Sequence, residues 1–145
     1  MKIREAKQND INFISDLLKS MALPYEDFNV HLNNFYVIED ENKIIATAGY
    51  ETCSSYALLR SFAVDDAYKS LGLAKKLYKA LEKKAKEEKI KAFYLLTETA
   101  KGYFEKLNFI CIEKDEAPKS IKNTEQFKSI CPASSQLMCL PLQTN

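Results

Sequence analysis

Between residues 56 and 97 the chain changes its apolar period twice, and this change constrains the fold more than any other feature. YALLRSFAV (56–64) reads as a strand, residues 73–85 carry a helical stripe of Leu73, Leu77, Ala80, Leu81 and Ala85, and AFYLLT (92–97) is a short, wholly apolar run. Two strands joined by a helix of that length make a right-handed crossover, so they are expected to lie parallel in one sheet. A run with no polar face suits a strand buried on both sides, which puts AFYLLT in the sheet interior.

The flanking sequence extends the sheet. KIREA (2–6) reads as a strand, and Asp10 is expected to cap a helix running to Met21 with Ile11, Ile14, Leu17 and Leu18 on one face. Leu23 to Leu32 has no clear period. FYVIE (35–39), the turn DENK, KIIATAGYE (43–51) and the turn TCSS lead into YALLRSFAV as an antiparallel meander. Further on, a helix over Thr99 to Leu107 stops at Asn108, a residue tolerant of the left-handed helix end. FICIEK resumes as strand, a helical stretch after Pro118 carries Ile121, Phe127 and Ile130, and the last strand lies near Gln136 to Leu140. The fold class expected is mixed α/β: a mostly antiparallel sheet with a central parallel pair and flanking helices, in one domain over residues 1–145.

Composition excludes several function classes. Twenty-one basic against 20 acidic residues give a net charge of +1, no field for nucleic acid or an anionic membrane. No apolar run reaches the about 18 residues of a spanning helix, and the polar start has no signal-like core, so the expected location is cytoplasmic. Cys53, Cys111, Cys131 and Cys139 lack metal-knuckle spacing and are expected to be reduced, buried thiols. With His31 the lone histidine, no metal site is expected.

Glycine is scarce, at Gly49, Gly72 and Gly102 only, and one of them falls in a suggestive place. Lys69-Ser70-Leu71-Gly72-Leu73-Ala74 opens the helix after YALLRSFAV with a base and small residues. Unpaired amides at such a helix start can hold phosphate oxygens, and Gly72 would let backbone approach them. An ordinary helix start is the alternative.

In context, this segment and the later Tyr103-Phe104-Glu105-Lys106-Leu107-Asn108-Phe109 resemble the Gcn5-related N-acetyltransferases. The family signature there is Arg or Gln, two residues, Gly, one residue, then Gly or Ala. Lys69 replaces the first base and Ser70 a frequent glycine, Gly72 and Ala74 match, and Asn108 stands in a glycine place. LLRSFAV, YLLTETAKGYFEKLNF, APKSIKNTEQF and ICPASS further resemble the arsenic-resistance-associated and short amino-acid N-acetyltransferases.

The resemblance implies acetyl transfer from acetyl-coenzyme A, as co-substrate, to a primary amine. It assigns Phe62, Ala63 and Val64 to the pantetheine arm, and Lys69, Ser70, Leu71, Gly72, Leu73 and Ala74 to the pyrophosphate. Glu51 is the candidate base, acting through water or directly; an exposed strand-end carboxylate is the alternative. Many members carry a tyrosine acid where this chain has Phe104, which is then a cofactor contact. Tyr103 points about 100° away on a helix and does not replace it. A non-catalytic acyl-CoA-binding module and a protein-amine acetyltransferase are the competing readings, and a homodimer is compatible with each.

Arg60 interrupts an apolar run, sharing a strand face with Tyr56, Leu58 and Phe62, and a buried guanidinium requires an anion. With TCSS as a four-residue loop, Glu51 would face Tyr56 and lie about 13 Å from Arg60, too far to pair. Either Glu39 or Glu98 is its partner, or its fork awaits a substrate carboxylate, geometry that suits Arg better than Lys. Arg60 and Thr97 are therefore the candidate contacts to a small, carboxylate-bearing amine acceptor.

Overall fold

The computed structural model describes residues 1–130 and 134–142, and Cys131 lies outside them. In chain order the elements are β1 (Lys2–Glu5), α1 (Ile11–Ser20), β2 (Phe35–Asp40), β3 (Lys43–Cys53), β4 (Tyr56–Val64), α2 (Leu73–Glu87), β5 (Ala92–Thr97), α3 (Lys101–Glu105), β6 (Ile110–Ile112), α4 (Lys119–Lys122) and β7 (Gln136–Pro141). Among the described residues seven strands form a sheet in the order β1-β2-β3-β4-β5-β7-β6. β4 and β5 pair in parallel from Tyr56 with Ala92 to Leu59 with Leu95, whereas β5 and β7 are antiparallel. AFYLLT is thus an interior strand, as its apolar run demands.

The chain divides into two compact units, residues 1–51 with 60–84 and residues 52–59 with 85–145. In the first, Ile14, Leu17 and Leu18 of α1 pack with Phe28, Phe35, Val37, Ile44 and Ala63. Gly49 faces Phe35 across the β2–β3 ladder, and a Cβ there would come within 2.3 Å of the Phe35 ring. Close approach therefore requires this glycine. The β2–β3 connection is Glu41–Asn42, both left-handed at φ 50° and 66°, as the primed hairpin turn demands.

Asp10 departs from expectation. It is itself helical (φ −88°, ψ −12°) and makes no side-chain cap on α1. Its carboxylate instead accepts the Lys7 N–H at 2.7 Å and pairs with Arg4. Leu23 to Leu32, aperiodic in sequence, runs into a 3-10 segment over Phe28–Asn34 that is kinked at His31 and anchored by buried Phe28.

In the second unit, Leu58, Tyr94, Ala117, Ile121, Leu137 and Cys139 share a core, and the Ser120 hydroxyl donates to the Cys53 carbonyl at 3.0 Å. The helix expected to reach Leu107 is the shorter α3, closed by Asn108 at φ 75°. Cys53 and Cys139 are buried, but Cys111 is exposed on the short strand β6, where its thiol lies 3.1 Å from Gln136 Oε1. The expectation of uniformly buried thiols fails there because all three residues of β6 retain solvent exposure.

Candidate active site

The β3–β4 hairpin turns through Ser54–Ser55 alone, with Ser54 at φ 58°. A two-residue connection sets Cys53 opposite Tyr56 and brings Glu51 two places closer to Arg60 than a four-residue loop would. Glu51 becomes a diagonal neighbour of Arg60, within reach of two long side chains. The expected 13 Å separation is overturned: Arg60 Nη1 and Glu51 Oε2 are 2.8 Å apart.

The partners expected for Arg60 also differ. Glu39 pairs with Arg4, and Glu98 accepts from Ser134, while the Arg60 fork is held by Asp27. Nη1 donates to Asp27 Oδ2 at 2.9 Å and Nη2 to Oδ1 at 2.6 Å, and Nε donates to Ser61 Oγ at 2.9 Å. The guanidinium is 1% exposed and bound on three sides, so its charge is compensated in place. Ser61 sits at φ 62° inside β4. There the ladder changes step: Asp65 N–H meets the Ile45 carbonyl at 2.8 Å, one residue out of the frame set at the turn. The bulge interrupts the alternation that had placed Phe62 on the face of Arg60.

Glu51 is 5% exposed, which removes the reading of a solvated strand-end carboxylate. Its Oε1 lies 3.2 Å from His31 Nε2. Burial pushes the Glu51 carboxyl up, but the His31 hydrogen bond and the Arg60 charge outweigh it and hold it below the ordinary glutamate value. At neutral pH it is an anion, and its Oε1 is a hydrogen-bond acceptor for His31 Nε2. Asp27 is likewise held below the usual carboxylate range, first by the Arg60 hydrogen bond against the opposing effect of burial.

His31 and Asp27 were not singled out in the sequence. Both fall in the aperiodic segment, and their partners lie 20 and 33 positions away, so no local pattern could reveal them. His31 uniqueness was the one available signal.

Lys69 to Gly72 lie immediately before α2, which opens at Leu73. Lys69 to Gly72 are exposed, Leu73 is buried and Ala74 half-buried. Lys69 Nζ pairs with exposed Asp66 at 2.8 Å, a contact of small worth at the surface. Ser70 and Gly72 are both left-handed, at φ 70° and 74°, and a Cβ on Gly72 would meet nothing within 4 Å. Conformation, not crowding, accounts for Gly72. Two left-handed residues separated by one position turn the chain sharply just before α2.

Phe62 and Val64 are half-buried and Ala63 is in the core of the first unit. In the second unit, Phe104 is buried between Tyr103 and Phe109, with ring centroids at 5.2 and 5.5 Å. Tyr103 is 38% exposed, and burial of its ring raises its hydroxyl pKa. Thr97 Oγ1 accepts the Ala100 N–H at 2.9 Å, which ties the β5–α3 turn. Among the described residues no group of three or more His, Cys, Asp and Glu is placed to hold a metal, and no helix is long and apolar enough to cross a membrane.

Comparison with known proteins adds family information. The model of the acetyltransferase (GNAT) family matches residues 6–109. Among solved structures, N-acetylglutamate synthase from Neisseria gonorrhoeae, complexed with coenzyme A and N-acetyl-glutamate, superposes with a TM-score of 0.85 at 20% identity over 98% of this chain. The chain spans only 35% of that enzyme. Rv2747 from Mycobacterium tuberculosis, in complex with CoA and a second ligand, gives 0.84 at 18% identity over 99% of this chain and 100% of its own. The ribosomal-protein-S18-alanine N-acetyltransferase from Escherichia coli gives 0.74 at 17% identity, covering 99% of this chain and 95% of its own. No protein of curated function matches by sequence.

Proposed function

The chain belongs to the acetyltransferase (GNAT) family, and on that premise we propose that it acetylates the primary amine of a small, carboxylate-bearing, amino-acid-like acceptor, with acetyl-CoA as donor. The two substrates react directly in a ternary complex. Lys69 to Ala74 cradle the pyrophosphate, with the left-handed Ser70 and Gly72 shaping the loop. Backbone groups of Phe62, Ala63 and Val64 pair with the pantetheine arm, and Phe104 supplies a cofactor contact. A strand amide at Phe62 or Val64 polarises the thioester carbonyl.

The acceptor amine attacks as the free base, forming the C–N bond as the C–S bond breaks. Glu51 takes up the ammonium proton, directly or through water, with His31 hydrogen-bonded at its Oε1. The leaving thiolate, from a thiol of pKa near 8.5, takes its proton from water, because Phe104 has none to give.

The observation supporting a carboxylate-bearing acceptor is the Arg60 fork, which already engages a carboxylate through both terminal nitrogens. That geometry is what a substrate carboxylate would use, with Thr97 the further acceptor contact. The neighbour carrying coenzyme A with N-acetyl-glutamate suggests which acceptors to try first. A coenzyme A release assay over free L-amino acids and their α-amides tests the reading. Arg60→Lys is expected to raise the acceptor KM about tenfold or more while leaving the acetyl-CoA KM in place. Unchanged acceptor kinetics in a folded variant would overturn it.

A further inference from the structure

We infer, resting on the acceptor reading above, that Asp27 is an internal stand-in for the acceptor's carboxylate: it closes the Arg60 fork until a substrate carboxylate displaces it. Three observations carry this. Asp27, not Glu51, takes the fork itself, one oxygen on each terminal nitrogen, whereas Glu51 takes a single Nη1 hydrogen. The Asp27 side chain is 28% exposed and borne by an irregular segment, while that of Glu51 is 7% exposed and fixed on β3. Solvent therefore reaches Asp27, the outer member of the pair, while the guanidinium behind it stays buried.

The remaining arginine shows that exposure of the fork partner is not inherent in such a pair. Arg4 grips Asp10 in the same two-pronged way, at 2.8 and 3.0 Å, but there the aspartate is 7% exposed and also held by the Lys7 N–H. That clip has no replaceable member at its fork.

Occupancy of the fork makes displacement necessary. Asp27 already engages both terminal nitrogens of Arg60 and Glu51 a further Nη1 hydrogen, so a third carboxylate approaching the intact fork finds its donors taken and two like charges beside them. Exchange of one carboxylate for another conserves charge and hydrogen bonds, and a neutral amide cannot drive it. Competition from Asp27 lowers apparent acceptor affinity by the fraction of molecules with the fork closed.

Asp27→Asn should therefore lower the KM of the best-accepted free amino acid about tenfold, leaving the acetyl-CoA KM and the KM of the corresponding α-amide unchanged. A KM that rises or stays constant overturns the inference. A second measurement is independent of turnover. In Asp27→Ser, sodium formate should raise Tm by about 2–4 °C over sodium chloride at equal ionic strength, and wild type should show no such difference. No formate-specific shift in the variant overturns the inference even where activity is lost. If no amino acid is acetylated but the formate shift is present, the acceptor assignment fails while the replaceable fork stands.

Discussion

Arg4 and Arg60, the chain's two arginines, build the same device with opposite exposure. Each ties an aspartate at a 3-10 segment to a glutamate on a strand, Asp10 to Glu39 through Arg4 and Asp27 to Glu51 through Arg60. At Arg4 the fork aspartate is buried and the glutamate is 27% exposed; at Arg60 the glutamate is buried and the aspartate open. The first arrangement is a fastening. In the second, the buried anion is fixed on a strand and the other faces solvent, which is the arrangement the proposed exchange of carboxylates requires.

The largest expected contrast lies in removing the guanidinium. Arg60→Gln strands Asp27 and the buried Glu51, and a loss of about 3–5 kcal/mol in unfolding free energy is expected, the scale for breaking a buried ion pair. Arg4→Gln should cost about 1 kcal/mol, since its group is 19% exposed and partly screened. Equal losses in urea titrations would break the comparison. Next come the glutamates: Glu51→Gln should cost about 2 kcal/mol and Glu39→Gln under about 0.5 kcal/mol. The difference, read by the same titrations, would vanish if exposure were irrelevant.

The smallest contrast is in acid. The Asp27 and Glu51 carboxyls have folded-state pKa values below their ordinary ones, 3.8 and 4.5. The unfolded chain therefore binds more protons as pH falls into that range, and the stabilisation present above it is lost as pH drops through the folded values. The stability gap between wild type and Arg60→Gln should narrow from pH 6 to pH 3. A gap that widens would contradict the depressed carboxyls.

The sequence exposed the fold well because its signals were local: the wholly apolar AFYLLT, the stripe on α2, and Asn108 at a helix end all report conformation within a few residues. It also flagged Arg60 as a charge in need of an anion, since one charged residue in an apolar strand is a local anomaly. The partner was illegible for two physical reasons. Register across β3–β4 depends on whether TCSS spends two residues or four in the turn, and Ser54 gives no Asn-Gly-like signal for the tight form. Asp27 immediately precedes, and His31 lies within, a 3-10 segment anchored by the burial of Phe28, a tertiary contact with no sequence period.

The two-residue Ser54–Ser55 turn has an evolutionary consequence. Because its length alone sets which β3 residue meets Arg60, one inserted residue would swing Glu51 to the opposite sheet face, and two would carry it beyond the guanidinium. Relatives with every charged side chain retained could then differ in what they accept through a change in loop length. Insertions and deletions at this hairpin are thus a route to new acceptor preference that substitution counts would not register.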